Sequence, residues 1–275
     1  MQGVINDIRL LEKGKTDMLS DAQVTEYHDR GYVIPDYRLP EAQLEEIRGR
    51  HKHLLDRHPE FRDNASVLLT YDLGFLNYAR DPQILDMVAQ LIGPDICLWN
   101  MSFFAKPALN GKKTPFHQDG QYWPIQPLAT CTVWIAIDDC TLENGPLLYI
   151  PGSHKGGRLR AHDQKDDPNF TLNQELRPEE YDPAEAVPLI LKAGQMALHD
   201  VYISHGSEEN HSPHPRRGMT MRMMPTTSVY DRDLARRRHV ERGGTDMSHH
   251  SIFLMRGEDR SGQNDFRLRP QAWWK

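Results

Sequence analysis

Cysteine is scarce in this chain. Only Cys97, Cys131 and Cys140 occur in 275 residues, with no close-spaced pair. That argues against a disulfide scaffold, which a chain of this length does not need, and the three read as buried thiols beside strands. Long apolar runs are missing as well: nothing approaches the ~20 residues of a membrane span. The opening MQGVINDIRLLEKGK has no apolar centre flanked by a basic end and does not read as a signal peptide. The expectation is a cytoplasmic protein with no membrane partner. Positive charge is not in excess either. The 33 Lys and Arg stand against 39 Asp and Glu, a net charge of −6. Such a surface repels a polyanion on average, so nucleic acid is a poor partner, while a local basic patch can still take an anionic metabolite. No internal repeat and no low-complexity linker is present.

What is present is enough for one sizeable core. Hydrophobic residues make up 38% and charged residues 26%, and single barrel or sandwich domains run to ~200–250 residues and beyond. One domain over residues 1–275 is expected, with a helical part over about 20–93 and a β core over about 94–226. Residues 1–19 read as an arm or edge strand. Ser20 with Gln23 makes a capping-box pattern that starts a helix over DAQVTEYHDR, and Gly31 stops it. GYVIPDY reads as a strand broken by Pro35. A second helix is predicted from Pro40 to about His58, with Leu44, Ile47, Leu54 and Leu55 on its apolar side. A third covers DPQILDMVAQLIG, capped by Asp81 and closed by Gly93. Beyond residue 93, ICLWNMSFFAK, TCTVWIAIDD, GPLLYIPG, VPLILKAG, QMALHDVYIS and GMTMRMMP are short runs rich in branched and aromatic residues. Gly, Pro and Asp punctuate them, which is the pattern of many short strands in a sandwich or barrel. The polar stretch 158–185 reads as an insertion or lid, and 228–262 as an outer wrapping.

The segment TPFHQDGQYWP carries the first chemical signal. His117 and Asp119 are two positions apart, so they point the same way on extended backbone. His205, at the end of an apolar run and just before Gly206, is the best candidate for a third ligand from a distant strand. Two imidazoles and one carboxylate on one face of iron(II) leave positions open for co-substrate and dioxygen. An H-x-D pair alone is weak, because among 14 His and 39 acidic residues it also arises as a surface pair beside a turn. Arg216 adds weight. It starts another strand eleven residues after His205, and a fixed guanidinium suits bidentate pairing with a carboxylate. A metal site with such a fork is what a 2-oxo acid co-substrate requires. Arg217 next door leaves the choice of arginine open on these grounds, and an ordinary surface arginine is the competing reading.

Three blocks in order, HQDGQYWP, VWIAIDDCTLENGPLLYIPGSHKGG and HGSEENHSPHPRRG, resemble the phytanoyl-CoA dioxygenase (PhyH) family of iron(II)- and 2-oxoglutarate-dependent oxygenases. The resemblance is strong from about Trp99 to Thr226 and looser over the N-terminal helices. It implies a mainly β chain with flanking helices, folded as a double-stranded β-helix, a cupin-like jelly roll. It implies His117, Asp119 and His205 as ligands to Fe(II). It places Arg216, rather than Arg217, against the distal carboxylate of 2-oxoglutarate. Gln118 and Trp134 fall where the family lines the co-substrate pocket, and Lys106 falls near a position that helps. Asn100 and Thr132 are further candidates on neighbouring strands. Gly194-Gln195 stands where the family often has Gly-Asp. The implied activity is that of a 2-oxoglutarate-dependent dioxygenase. It consumes O2 and 2-oxoglutarate, releases succinate and carbon dioxide, and hydroxylates a C–H bond of a small metabolite. No catalytic residue beyond the metal ligands is implied. Relatives that halogenate carry a small residue where Asp119 stands, so the carboxylate argues for hydroxylation or a related oxidation.

Tyr122 and Trp123 follow the metal pair and are candidates for one wall of a substrate pocket, with core or rim packing as the competing reading. Arg160 and His162 are candidates for meeting a polar or anionic substrate, against which stands an ordinary solvated face. Asn210 reads as an organiser of the loop after His205. Met219, Met221 and Met223 alternate toward one buried face and Met224 falls on the other. Two alternatives stand beside hydroxylation. One keeps the cofactors and gives desaturation, cyclisation or epimerisation. The other is a non-catalytic jelly roll that binds a ligand. The sequence specifies no oligomeric state.

Overall fold

The computed structural model describes residues 18–243 and 245–269. The arm expected over residues 1–19 lies outside them, apart from Met18 and Leu19. Short-range rules account for the helices. Ser20 and Gln23 form both halves of the capping box on helix α1 (Asp21–Arg30), and Gly31 ends it at φ 85°, a left-handed conformation that glycine adopts freely. Strand β1 (Tyr32–Val33) follows. Helix α2 (Glu41–Arg57) buries Leu44, Ile47, His51 and Leu54, whose spacing of three and four makes one stripe. Leu55, expected on that stripe, is half-buried, and His51 occupies the fourth position. Strand β2 (Asn64–Ala65) and two single-turn helices, α3 (Leu68–Tyr71) and α4 (Leu76–Ala79), lead to α5 (Pro82–Ile92). Asp81 caps α5 by accepting from the amides of Gln83 and Ile84 at 2.8 and 3.4 Å.

Strands dominate from residue 96. They are β3 (Ile96–Lys106), β4 (Thr114–His117), β5 (Ile125–Gln126), β6 (Cys131–Ala136) and β7 (Leu148–Tyr149). A separate hairpin, β8 (His162–Gln164) with β9 (Gln174–Leu176), comes next. The frame resumes with β10 (Val187–Pro188), β11 (Met196–Asp200), β12 (His205–Ser207) and β13 (Arg216–Pro225). Strand β14 (Val229–Tyr230), helix α6 (Arg232–Arg242) and β15 (Phe253–Arg256) complete it. The larger antiparallel sheet runs β1-β11-β6-β13-β3-β15, with β2 also paired to β3, and the smaller runs β10-β7-β12-β4. The chain passes between these sheets at β3–β4, β6–β7 and β11–β12, the winding of the expected double-stranded β-helix.

Alternation along β13 separates core from site. Met219, Met221 and Met223 join Leu98, Val133 and Leu198 in the main apolar cluster, together with Leu44 and Ile47 of α2 and Met87 and Val88 of α5. Each such side chain contributes ~1.5–3 kcal/mol on burial, so the helices seal one face of the larger sheet. Arg216, Thr220 and Arg222 of the same strand face a cavity shared with the smaller sheet.

Both polar segments carry structure. The stretch 158–185, expected as a lid rather than core, buries Leu176 of β9 against Phe116 and Ile150. The stretch 228–262, expected to wrap the outside, contributes α6 and joins the larger sheet where β15 pairs with β3. Helix α6 escaped the sequence reading because DLARRRHVER has no apolar stripe to reveal its period. Its start signal is Asp231, which accepts from the Leu234 amide at 2.7 Å. The three cysteines are buried and free. Among the described residues, no helix is long and apolar enough to cross a membrane.

Candidate metal centre

Strand β4 ends at His117 and β12 begins at His205, and these residues are partners across the smaller sheet. Their ring centroids are 4.2 Å apart. A tight turn over Asp119–Gln121 follows β4 and brings Asp119 Oδ1 to 3.7 Å from His117 Nε2. One ligand atom from each of the three lies within 4.8 Å of the others, and all three residues are buried.

Backbone carbonyls select the ring nitrogens. His117 Nδ1 lies 2.9 Å from the Pro115 carbonyl, and His205 Nδ1 3.0 Å from that of Ile203. A carbonyl only accepts, so each Nδ1 holds the proton and each Nε2 keeps its lone pair. Burial, reinforced by His117, pushes His205 well below the ordinary histidine range, which keeps its ring neutral. Burial opposes ionisation of Asp119, but His117 and His199 beside it outweigh burial and hold the carboxyl well below its usual range. Two imidazoles presenting Nε2 and one carboxylate fit an iron(II) ion and leave coordination positions open.

His199 was not singled out in the sequence. It sits on β11 with Nε2 3.3 Å from Asp119 Oδ2 and Nδ1 2.7 Å from the Tyr149 hydroxyl. Thr132 Oγ1 donates to the same carboxylate oxygen at 3.4 Å. The available signal was period: Met196 and Leu198 face the main core, so His199 faces the other way.

The two adjacent arginines part company for the same reason. Arg217 is bound to Asp138 at 2.7 and 2.8 Å. Arg216, only 2% exposed, turns into the inner cavity. It donates to the carbonyls of Gly145 at 3.0 Å and Phe104 at 3.1 Å, and to Ser207 Oγ at 3.3 Å. Burial lowers its pKa to about 10, so it stays cationic at neutral pH. Its guanidinium lies 5.6 Å from the Trp134 ring. Trp134 fits because position 218 is glycine: a Cβ there would stand 2.2 Å from Trp134 Cζ2. Trp134 and Thr132 line the inner cavity with Arg216 and the metal candidates.

Three candidates for the co-substrate pocket are placed differently. Gln118 alternates away from His117 and Asp119. Its amide donates to Tyr202 at 2.6 Å and Arg158 at 3.3 Å and accepts from the Arg160 backbone at 2.6 Å, so it ties the lid segment to the metal strand. Lys106 is the register partner of Arg216, but its Nζ donates to the Lys112 carbonyl. Burial, then Arg216, lowers it to about 6. Asn100 donates to the Ser66 carbonyl at 2.8 Å and lines an outer cavity instead.

That outer cavity, of about 310 Å³, shares Phe104, His117, Asp119 and Arg222 with the inner one. Tyr122 and Trp123 form part of its wall, opposite in sequence to contributions from Thr171–Gln174 and α6. Arg160 and His162, expected near substrate, are on neither wall. Arg160 donates to the carbonyls of Glu180 and Ser153. His162 bridges the Arg160 carbonyl at 2.9 Å and the Gln118 amide at 3.1 Å, so a polar lid spends them on its own anchoring. Arg222 was not singled out either, although its even-numbered spacing from Arg216 was legible. Asn210, fully buried, organises its loop by donating to the carbonyls of Lys106, Pro107 and His214. Gln195 accepts from the Lys192 amide at 2.7 Å, closing the turn where the family often has Asp.

Two sheets enclosing a buried two-histidine, one-carboxylate cluster define the class: a jelly-roll protein equipped to hold a metal. Residues 14–218 match the family model for phytanoyl-CoA dioxygenase (PhyH), and the chain belongs to that family. It is 32% identical over 168 residues to the mouse phytanoyl-CoA dioxygenase domain-containing protein 1, covering 58% of this chain and 55% of that protein. It is 30% identical over 211 residues to the human peroxisomal phytanoyl-CoA dioxygenase, covering 67% and 62%. The chain thus spans little more than half the length of these relatives. Among solved structures, the apo non-heme monooxygenase ThoJ superposes with TM-score 0.71 at 22% identity, over 92% of this chain and 90% of that one. The carbocyclase SnoK from nogalamycin biosynthesis superposes with TM-score 0.62 at 21% identity, over 78% and 87%. These two likenesses confirm the fold.

Proposed function

We propose that this chain is an iron(II)- and 2-oxoglutarate-dependent dioxygenase that hydroxylates a C–H bond of a small metabolite. One observation carries the reading: His117, Asp119 and His205 share a cavity with the buried Arg216, which has no carboxylate partner among the described residues. Iron(II) and 2-oxoglutarate, when bound, supply the oxidation with O2, giving succinate, carbon dioxide and a hydroxylated product. His117 Nε2, His205 Nε2 and an Asp119 oxygen would hold the metal. His199 and Thr132 engage Asp119 Oδ2 and so orient the carboxylate. Arg216 would take the distal carboxylate of the co-substrate as a fixed fork, beside the wall made by Trp134 and Thr132. Burial of the cluster excludes water from the reacting groups.

The outer cavity shares His117 and Asp119 with the inner one, so a molecule held there lies beside the metal position. Its volume of about 310 Å³ is at the low end of small-molecule pockets, which supports a small metabolite over an acyl thioester. Its wall draws on residues from Asn64 to Met247, which supports reading the chain as one oxygenase domain. A second reading keeps the cofactors and changes the outcome. Solved proteins of similar fold include a carbocyclase and an epimerase, and cyclisation or epimerisation here would depend on how the outer wall holds the substrate.

Anaerobic addition of iron(II) and 2-oxoglutarate tests the proposal. A weak visible charge-transfer band is expected in the wild type. His205→Ala should abolish it, and Arg216→Ala should require about tenfold more co-substrate or beyond, the loss of a charge-assisted contact. A well-folded, iron-loaded wild type with no band would overturn the assignment and favour a non-catalytic jelly roll.

A further inference from the structure

We propose that the primary substrate carries an oxyanion, a carboxylate or a phosphate, and that Arg222 receives it in the outer cavity. This deepens the oxygenase reading and rests on it. Arg222 is only 6% exposed, yet it has no acidic partner within ion-pair distance among the described residues. Nη1 donates to Ser102 Oγ at 2.7 Å, while Nε is buried with no hydrogen-bond partner. An unpaired buried cation is costly, and this one lies on a cavity wall where a ligand can meet it. Trp123, Phe104 and Trp99 surround it, with ring centroids at 5.1, 5.8 and 6.0 Å. Their faces favour the positive charge and restrict the guanidinium, but they offer no acceptor.

Asp119 acts on Arg222 through space but neither hydrogen-bonds nor ion-pairs with it. Its Oδ2 is engaged by His199 and Thr132, and its Oδ1 faces His117. Arg238 and His239 of α6 also line the wall, Asp119 is its one carboxylate among the described residues, and Asn64, Asn100 and Asn173 are among the amides. Two arginines thus stand with one carboxylate on this wall in a chain of net charge −6, a local arrangement suited to drawing in an anion. Arg222 is also distinct from the co-substrate arginine. Both arginines line the inner cavity, but of the two only Arg222 also lines the outer one, which favours a second anion there over one diacid shared by both.

The test uses wild type, Arg222→Gln and Arg222→Lys, each loaded anaerobically with iron(II) and 2-oxoglutarate. Thermal unfolding is measured against matched probes: small carboxylic acids with their primary amides, and phosphate monoesters with their parent alcohols. Charged members should stabilise the wild type and neutral members should not. Whichever charged series binds identifies the oxyanion. Arg222→Gln should weaken the best probe about tenfold or more, the loss of a charge-assisted contact, and Arg222→Lys should weaken it less. The 2-oxoglutarate dependence of the charge-transfer band should follow the wild type in both variants. Equal binding of neutral members, no binding of any charged member, or a variant that shifts only the 2-oxoglutarate dependence would overturn the inference. Near-UV circular dichroism checks folding, and Arg222→Lys carries the comparison if the Gln variant does not fold. Absence of the band in wild type would sink the oxygenase reading instead, and probe affinities of the metal-free proteins would then decide the anion site separately.

Discussion

Asp119 Oδ2 lies 3.3 Å from His199 Nε2, and the other ring nitrogen of His199 lies 2.7 Å from the hydroxyl of the buried Tyr149. Burial pushes the Tyr149 hydroxyl well above its ordinary range, so it donates to Nδ1. His199 then has Nε2–H to donate to the carboxylate. Loss of such an outer partner typically lowers metal affinity about 10–100-fold. His199→Leu is expected to weaken iron(II) binding by that factor and Tyr149→Phe by less, measured by competition with a chromophoric chelator. Unchanged affinity in His199→Leu would remove the orienting role.

Lys106 gives a pH signature. Its pKa falls from 10.5 in the unfolded chain to about 6, chiefly through burial and then through Arg216. Between those values the unfolded chain binds more protons at this residue than the folded chain. The folded state therefore loses stability as pH falls through that window. Lys106→Met keeps the stem volume and removes the amine. It should raise the unfolding free energy at pH 7 by about 1–4 kcal/mol, because folding then no longer has to strip a proton from the amine. The advantage should shrink at pH 9.5. Denaturant unfolding at the two pH values checks it, and a variant no more stable at pH 7 contradicts the burial argument.

Gly218 is a steric requirement of the inner cavity. An added Cβ would stand 2.2 and 2.4 Å from two Trp134 ring atoms. Gly218→Ala should cost about 1–3 kcal/mol of stability, the usual penalty of overpacking. It should also raise the 2-oxoglutarate concentration that half-saturates the charge-transfer band, because Trp134 must move beside Arg216. Wild-type values for both quantities would mean that the wall yields without consequence.

The Gln118 side chain holds the lid segment through two hydrogen bonds, to the Arg158 carbonyl and from the Arg160 amide, while a third anchors it at the Tyr202 carbonyl. Each buried bond of this kind contributes about 0.5–1.5 kcal/mol. Gln118→Ala should therefore speed amide hydrogen exchange across residues 158–164 while exchange in β6 stays slow. Equal protection of the segment in variant and wild type would show that His162 and Arg160 suffice.

Local signals were legible wherever short-range chemistry decided the structure. The capping box of Ser20 and Gln23, the Asp81 cap and the Gly31 stop depend on hydrogen bonds within a few residues. The alternation of Met219, Met221 and Met223 requires only that β13 be extended. The same period put His117 and Asp119 together and sent Gln118 elsewhere, although the family resemblance suggested a pocket role for Gln118.

The sequence by itself determined helices α1, α2 and α5, the many-stranded jelly roll and the three metal candidates, because each is written in neighbouring residues or in one ordered set of motifs. Only the tertiary structure decided what surrounds them. His199 meets Asp119 across 80 positions, and Arg222 meets Ser102 across 120. Helix α6, without an apolar stripe, gains its place by walling a cavity whose other residues begin at Asn64. Such contacts depend on which strands the two sheets bring within a few ångströms, and one-dimensional spacing does not encode that distance.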